Sequence, residues 1–242
     1  MLRADLLRPL GCRSALLAAA FVFVLSGRSQ AAPLCASDSL TNYLSLGSCS
    51  IGAATFSDFS LVTPLPTGAT PIPTSAVTVL PFSTASGVGF QFLFDVTSST
   101  FQLNELLFGY FASAPGFTDV TLAMPGASAT GDGVVTAVQD VCIGGAFTPG
   151  SLGGCSTSQY ANVAFAIDGD QSLSETLSFA ATPLLGIIND IAVDGGLGGN
   201  AALAGGITNT FTVAQPVPEP ATLMLLGTGI TLLLRSRRRR QL

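Results

Sequence analysis

The 242-residue chain contains no lysine, no histidine and no tryptophan. Without histidine or lysine a Ser-His-Asp triad, a lysine base and a lysine Schiff base cannot be built. A zinc site would have no histidine ligand, and no C-x-x-C pair exists. Without tryptophan a sugar-cleaving groove lacks its usual stacking platform. Positive charge is confined to the ends: Arg3, Arg8, Arg13 and Arg28 at one, Arg235 and Arg237 to Arg240 at the other. Residues 32–215 carry twelve of the fourteen acids and no base, a formal charge of −12. Such a domain has nothing with which to displace counterions from phosphate, which excludes nucleic acid as a partner. It also has no internal salt bridges, so its stability must come from apolar burial, backbone hydrogen bonds and disulfides. Only carboxylates remain for acid–base work, as in glycosidases. The candidates are Asp95, Glu105, Asp119, Asp132, Asp140, Asp168, Asp170, Glu175, Asp190 and Asp194, and sequence alone pairs none of them across a cleft. The expectation is therefore a protein that is not an enzyme.

The two ends read as addresses rather than as fold. Residues 1–31 have the layout of a secretory signal peptide. Three arginines come first, Ser14 to Leu25 forms a short apolar core, and Ser29-Gln30-Ala31 places cleavage after Ala31. Cys12 lies before that core and leaves with the peptide. At the other end the prolines of Pro216-Val217-Pro218-Glu219-Pro220 impose an extended spacer that cannot join a sheet. An uncharged run, Ala221 to Leu234, follows, and then the arginines. Fourteen residues at ~1.5 Å each reach roughly 21 Å, less than a ~30 Å hydrocarbon core. The arginines hold the end of this short transmembrane helix on the cytoplasmic side and leave everything before Pro216 outside.

The order of spacer, apolar helix and arginine cluster resembles the PEP-CTERM sorting segment, over about a tenth of the chain. The resemblance implies an exosortase-type membrane processing enzyme as partner. It implies transient residence in the inner membrane and delivery to the cell surface or extracellular polymeric substance. It makes Pro218, Glu219 and Pro220 recognition residues, with Arg235, Arg237, Arg238, Arg239 and Arg240 as the retaining cluster. A similar tail closes some ice-binding proteins, so the cargo is not defined by it. The domain boundaries are thus 1–31 signal peptide, 32–215 exported domain and 216–242 sorting segment.

The exported domain is long enough for one real core. Cys35, Cys49, Cys142 and Cys155 remain in it, and export makes them disulfide candidates. Three pairings are possible. Cys35–Cys49 and Cys142–Cys155 are favoured because each brackets a short loop-like stretch. A short helix is expected within 37–46, capped by Asp38 or Ser39 and ended by Gly47. A strand with a possible bulge is expected over 49–61, and the prolines make 63–74 a loop. Short strand-like runs follow at 76–82, 88–96, 101–112, 117–124, 133–143, 161–167, 172–180, 186–193 and 207–213, separated by Gly, Pro, Asp and Asn. The pattern predicts an all-β, antiparallel, two-sheet β-sandwich of jelly-roll-like kind.

Asp168-Gly169-Asp170 resembles the start of a Ca²⁺ loop, with oxygens at alternate positions, but lacks the later glycine and glutamate. A hairpin turn is the competing reading. Two functions fit. One is a structural or adhesive surface protein associated with matrix polysaccharide. The other is a ligand-binding sandwich, for carbohydrate or ice. Thr97, Thr100, Thr118 and Thr121 form no repeating ladder along the chain.

Overall fold

Alternation of large apolar and small polar residues makes the strands, and phenylalanine makes the core. The computed structural model describes residues 32–214 apart from 64, 149 and 152. The signal helix of 1–31 and the membrane helix and motif of 216–242 lie outside the described residues. Phe90 and Phe92 of β6 (Gly87–Leu93) meet Phe56 of β3 (Ala54–Leu61) and Phe108 and Tyr110 of β8 (Leu103–Ala123). Phe211 of β15 (Ile207–Val213) and Tyr43 close the cluster. Their rings sit mostly edge-to-face or tilted, the arrangement the aromatic quadrupole favours. Burying one such side chain contributes about 1.5–3 kcal/mol. With no ion pair available, this cluster is the main source of stability.

The fold is a two-layer antiparallel β-sandwich. The first layer runs from β2 (Ser48–Ile51) through β3, the first half of β8 and the second half of β13 (Ser174–Asp194). It continues through β10 (Val134–Ile143), β11 (Ser158–Ile167) and β12 (Asp170–Ser172). The facing layer holds β1 (Asp38–Ser39), β5 (Thr78–Thr84), β6, β15, the second half of β8 and the first half of β13. Both 21-residue strands therefore pass from one layer to the other. They turn where register shifts occur between Ser178 and Leu184, opposite Ser113 to Phe117. Pro115 and Pro183 lie at these corners, where a missing N–H costs little. The sequence reading split each strand in two for the same prolines. They bend the strand without ending it.

Beyond β6, β15 and β8 lies a second sheet of three short strands, β7 (Val96–Ser98), β14 (Asn200–Leu203) and β9 (Ala127–Thr130). It repeats their order, so it prolongs the second layer past a kink. Gly205 and Gly206 form the kink at φ 74° and 65°, and Asp95 Oδ1 accepts the Gly205 N–H at 2.8 Å. A Cβ on Gly206 would run into the Phe92 carbonyl oxygen.

The expected strand at 49–61 is a hairpin. Gly52 turns it at φ 59°, and Asp58 supplies the bulge at φ 56°. The helix is short, α1 (Leu40–Tyr43), with Ser39 Oγ accepting the Asn42 N–H at 3.3 Å. Within the loop after β3, β4 (Thr70–Pro71) lies parallel to Asn104 and Glu105. Both expected disulfides are present, Cys35–Cys49 and Cys142–Cys155. The second clamps residues 143–157 back over the first layer, where Phe147 packs with Val62, Leu107 and Ile188.

Candidate functional site

Asp168 and Asp170 stand on either side of a hairpin turn. Ile167 pairs with Asp170, which leaves Asp168-Gly169 as the two-residue loop, with Gly169 at φ 79°. Asp168 Oδ2 accepts the Gly131 N–H of the neighbouring turn at 3.1 Å, and Asp170 is exposed. Among the described residues no group of three or more His, Cys, Asp or Glu side chains is close enough to hold a metal ion. Other acids at this end serve turns as well. Asp132 takes the N–H groups of Gly198 and Leu197 at 2.7 and 2.8 Å, which hold its carboxyl below the ordinary carboxylate range. Asp194 accepts the Gly196 N–H at 2.8 Å.

The outer face of the three-stranded sheet forms a shallow groove of about 370 Å³. Its register sets Thr97, Ala202 and Ser128 in one rank and Asn200 beside Thr130 in the next. Ser99 and Gln102 close the end, where Gln102 Oε1 accepts the Ser99 N–H at 3.1 Å and its hydroxyl at 2.9 Å. No charged side chain lines this groove. Between Ser99 and Gln102 stands Phe101, 78% exposed and held at φ 65°. A non-glycine residue there is uncommon, and bulk makes it costlier. The sequence pattern puts Phe101 at the start of a strand-like run, 101–112. Only the turn that its backbone makes, with its N–H on the Gly196 carbonyl at 2.7 Å, turns the ring outward.

The second layer's outer face is also rich in hydroxyls. Thr208, Thr210 and Thr212 alternate with the inward Ile207, Asn209 and Phe211 of β15. Thr210 pairs with Thr121, whose hydroxyl lies 2.8 Å from that of Thr176. A threonine array therefore exists across strands, where inspection along the chain finds none.

Two polar groupings are buried. In the interior, Asn209 Nδ2 donates to the Tyr110 hydroxyl and to Asn189 Oδ1, both at 2.8 Å. Gln139 and Asn162 continue the chain to the Val120 carbonyl. On the outer side of the first layer Glu105 and Asp190 lie one rank apart on adjacent strands, since Leu107 pairs with Asp190 and Glu105 with Ala192. Glu105 is 3% exposed, and Oε2 of Glu105 and Oδ1 of Asp190 find no hydrogen-bond partner. Burial, and then the charge of Asp190, push the Glu105 carboxyl up to about 7. Burial also raises that of Asp190, and Asp140 adds to it.

No curated protein and no solved structure matches the chain. A family model does match, over residues 216–240, and its description is PEP-CTERM protein-sorting motif. The matched span includes Pro218, Glu219, Pro220 and all five terminal arginines. The chain thus carries a PEP-CTERM protein-sorting motif, the mark of an exported protein sorted at the membrane by an exosortase.

Proposed function

We propose that the chain is a non-enzymatic structural and adhesive protein of the cell surface or extracellular matrix. Exosortase processing delivers it from a membrane-attached intermediate, and contact with neutral polysaccharide retains it. The observation that carries this reading is the uncharged groove of hydroxyls and amides beside the exposed ring of Phe101. A neutral glycan offers hydroxyls to pair with Thr97, Ser128, Thr130 and Asn200, and an apolar ring face to lie on Phe101. An anionic polymer would instead meet a domain with formal charge −12 and no base. The test is a glycan array probed with the exported protein. Binding to neutral glycans is expected, insensitive to salt and weakened about tenfold by Phe101→Ala. A blank array removes the adhesive half of the reading and leaves a structural protein.

The threonine array favours a second reading, a ligand-binding sandwich for ice. Thr121, Thr176, Thr208, Thr210 and Thr212 present regularly spaced hydroxyls and methyls on one face. Thermal hysteresis in solutions of the protein, lost in Thr210→Tyr and kept in Phe101→Ala, would select this reading over the glycan groove.

A further inference from the structure

Among the described residues the Glu105–Asp190 pair has no counter-ion. Residues 32–215 contain no lysine, arginine or histidine, so no folding of this domain brings a base to the pair. The Asp140 carboxylate on β10 also faces the pair, and its Oδ1 accepts from Gln159 at 3.2 Å. The stretch 62–73 contains no charged residue and meets the β8 backbone at Glu105 and beside it. It is fastened to β8 on both sides of Glu105. Val62 N–H donates to the Leu107 carbonyl at 3.0 Å, and Ile72 N–H to that of Glu105 at 2.8 Å. The clamped stretch 143–157 adds no charge either. Two ionised carboxylates side by side, one buried and one half-buried with no cation beside them, repel each other and are poorly hydrated.

We propose that Glu105 and Asp190 share one proton and act as a pH-operated latch for the 62–73 stretch. In the closed state the Glu105 carboxyl donates its proton in a hydrogen bond to the Asp190 carboxylate. When the proton passes to solvent, the two like charges repel. Hydrating them requires lifting Thr70–Pro71 from Asn104 and Glu105. The direction follows from where the proton is held. Below about 4.5 both the folded and the unfolded chain hold it, and above about 7 neither does. Between these values only the folded chain holds it, so stability falls as pH rises through this window. The exported domain has no histidine, the side chain that ordinarily titrates in this window. This inference does not depend on the glycan reading.

The experiment is thermal unfolding of the mature exported protein from pH 5 to pH 8, with amide exchange of residues 62–73 across the same range. The midpoint should fall by roughly 5 °C or more. Exchange at Ile72 should quicken ahead of the core strands. Glu105→Gln keeps the donor and cannot ionise, so its midpoint should be flat over this range. Asp190→Asn removes the neighbouring charge but not the burial, so the transition should move to lower pH and persist. A wild-type midpoint and an Ile72 protection factor, corrected for the intrinsic pH dependence of exchange, that do not change between pH 5 and pH 8 overturn the latch. So does a rise of several degrees on adding calcium at pH 8 that Glu105→Gln abolishes, since the pair would then hold a metal ion in place of the proton. The exchange measurement on the wild-type protein stands even if neither variant folds.

Discussion

Asn209 joins the two layers through a single side chain. Its Nδ2 serves Tyr110 and Asn189 at once, and both of those belong to the opposite layer. Asn209→Leu fills the space but removes the donor to a buried phenol and leaves a buried amide oxygen with only the Gln139 amide at 3.5 Å. Each loss costs about 1–3 kcal/mol, so we expect 2–4 kcal/mol from urea unfolding. The chain is not fully satisfied even in the native protein, where Asn162 Oδ1, Asn189 Nδ2 and Asn209 Oδ1 lack partners. Replacing the cluster by apolar residues of equal volume should therefore cost less than the single change. Gly206 makes a contrasting case. Its cost on substitution is steric, from a positive φ and from the Phe92 carbonyl beside it. Gly206→Ala should lose at least about 2 kcal/mol in the same measurement, whereas Gly205→Ala, with open space around its Cβ, should lose closer to 1.

Elements defined by neighbours in sequence were legible, and those defined by distant pairing were not. The cap at Ser39, the strands at 133–143 and 207–213 and both disulfides follow from local pattern and spacing. The three-stranded sheet left no comparable trace. Its strands read Val-Thr-Ser, Ala-Ser-Ala-Thr and Asn-Ala-Ala-Leu, too short and too small to show alternating hydrophobicity. The groove on that sheet was hidden for the same reason. Glu105 and Asp190 were both named as acids, yet only the antiparallel register of β8 on β13 sets them side by side. The 143–157 stretch shows how a local element gains a tertiary role. Its disulfide closes a short loop, and loop closure of this size is worth about 3 kcal/mol. Phe147 then rests on Leu107 and Ile188 as a satellite core. Cys142→Ala with Cys155→Ala should lower stability by about 2–4 kcal/mol and expose Phe147. Faster amide exchange across 144–157, with the main aromatic core still protected, is the expected signature.

At the scale of the whole molecule, charge is segregated so completely that export changes its character. Every arginine lies in one of the two end segments, so removing both leaves only acids. The mature particle then repels its copies and anionic surfaces, which favours release from the membrane where it was made. The tail is built to be temporary: its fourteen-residue run is short for a ~30 Å core, and Thr222, Gly227, Thr228, Gly229 and Thr231 weaken it further. We expect its arginines to hold the apolar run in place while Pro218-Glu219-Pro220 is read outside. Pro218→Ala with Glu219→Ala alters only the segment to be read and leaves the apolar run and arginines intact. We expect that variant to stay in the membrane fraction while the parent reaches the surface or medium. Intact mass gives a second readout. No lysine or arginine lies between Arg28 and Arg235, so trypsin should leave the released parent unchanged even after unfolding and reduction, while trimming arginines from the trapped variant. Release of the variant at the parent's rate, or terminal arginines on the released parent, would make the segment an ordinary short anchor.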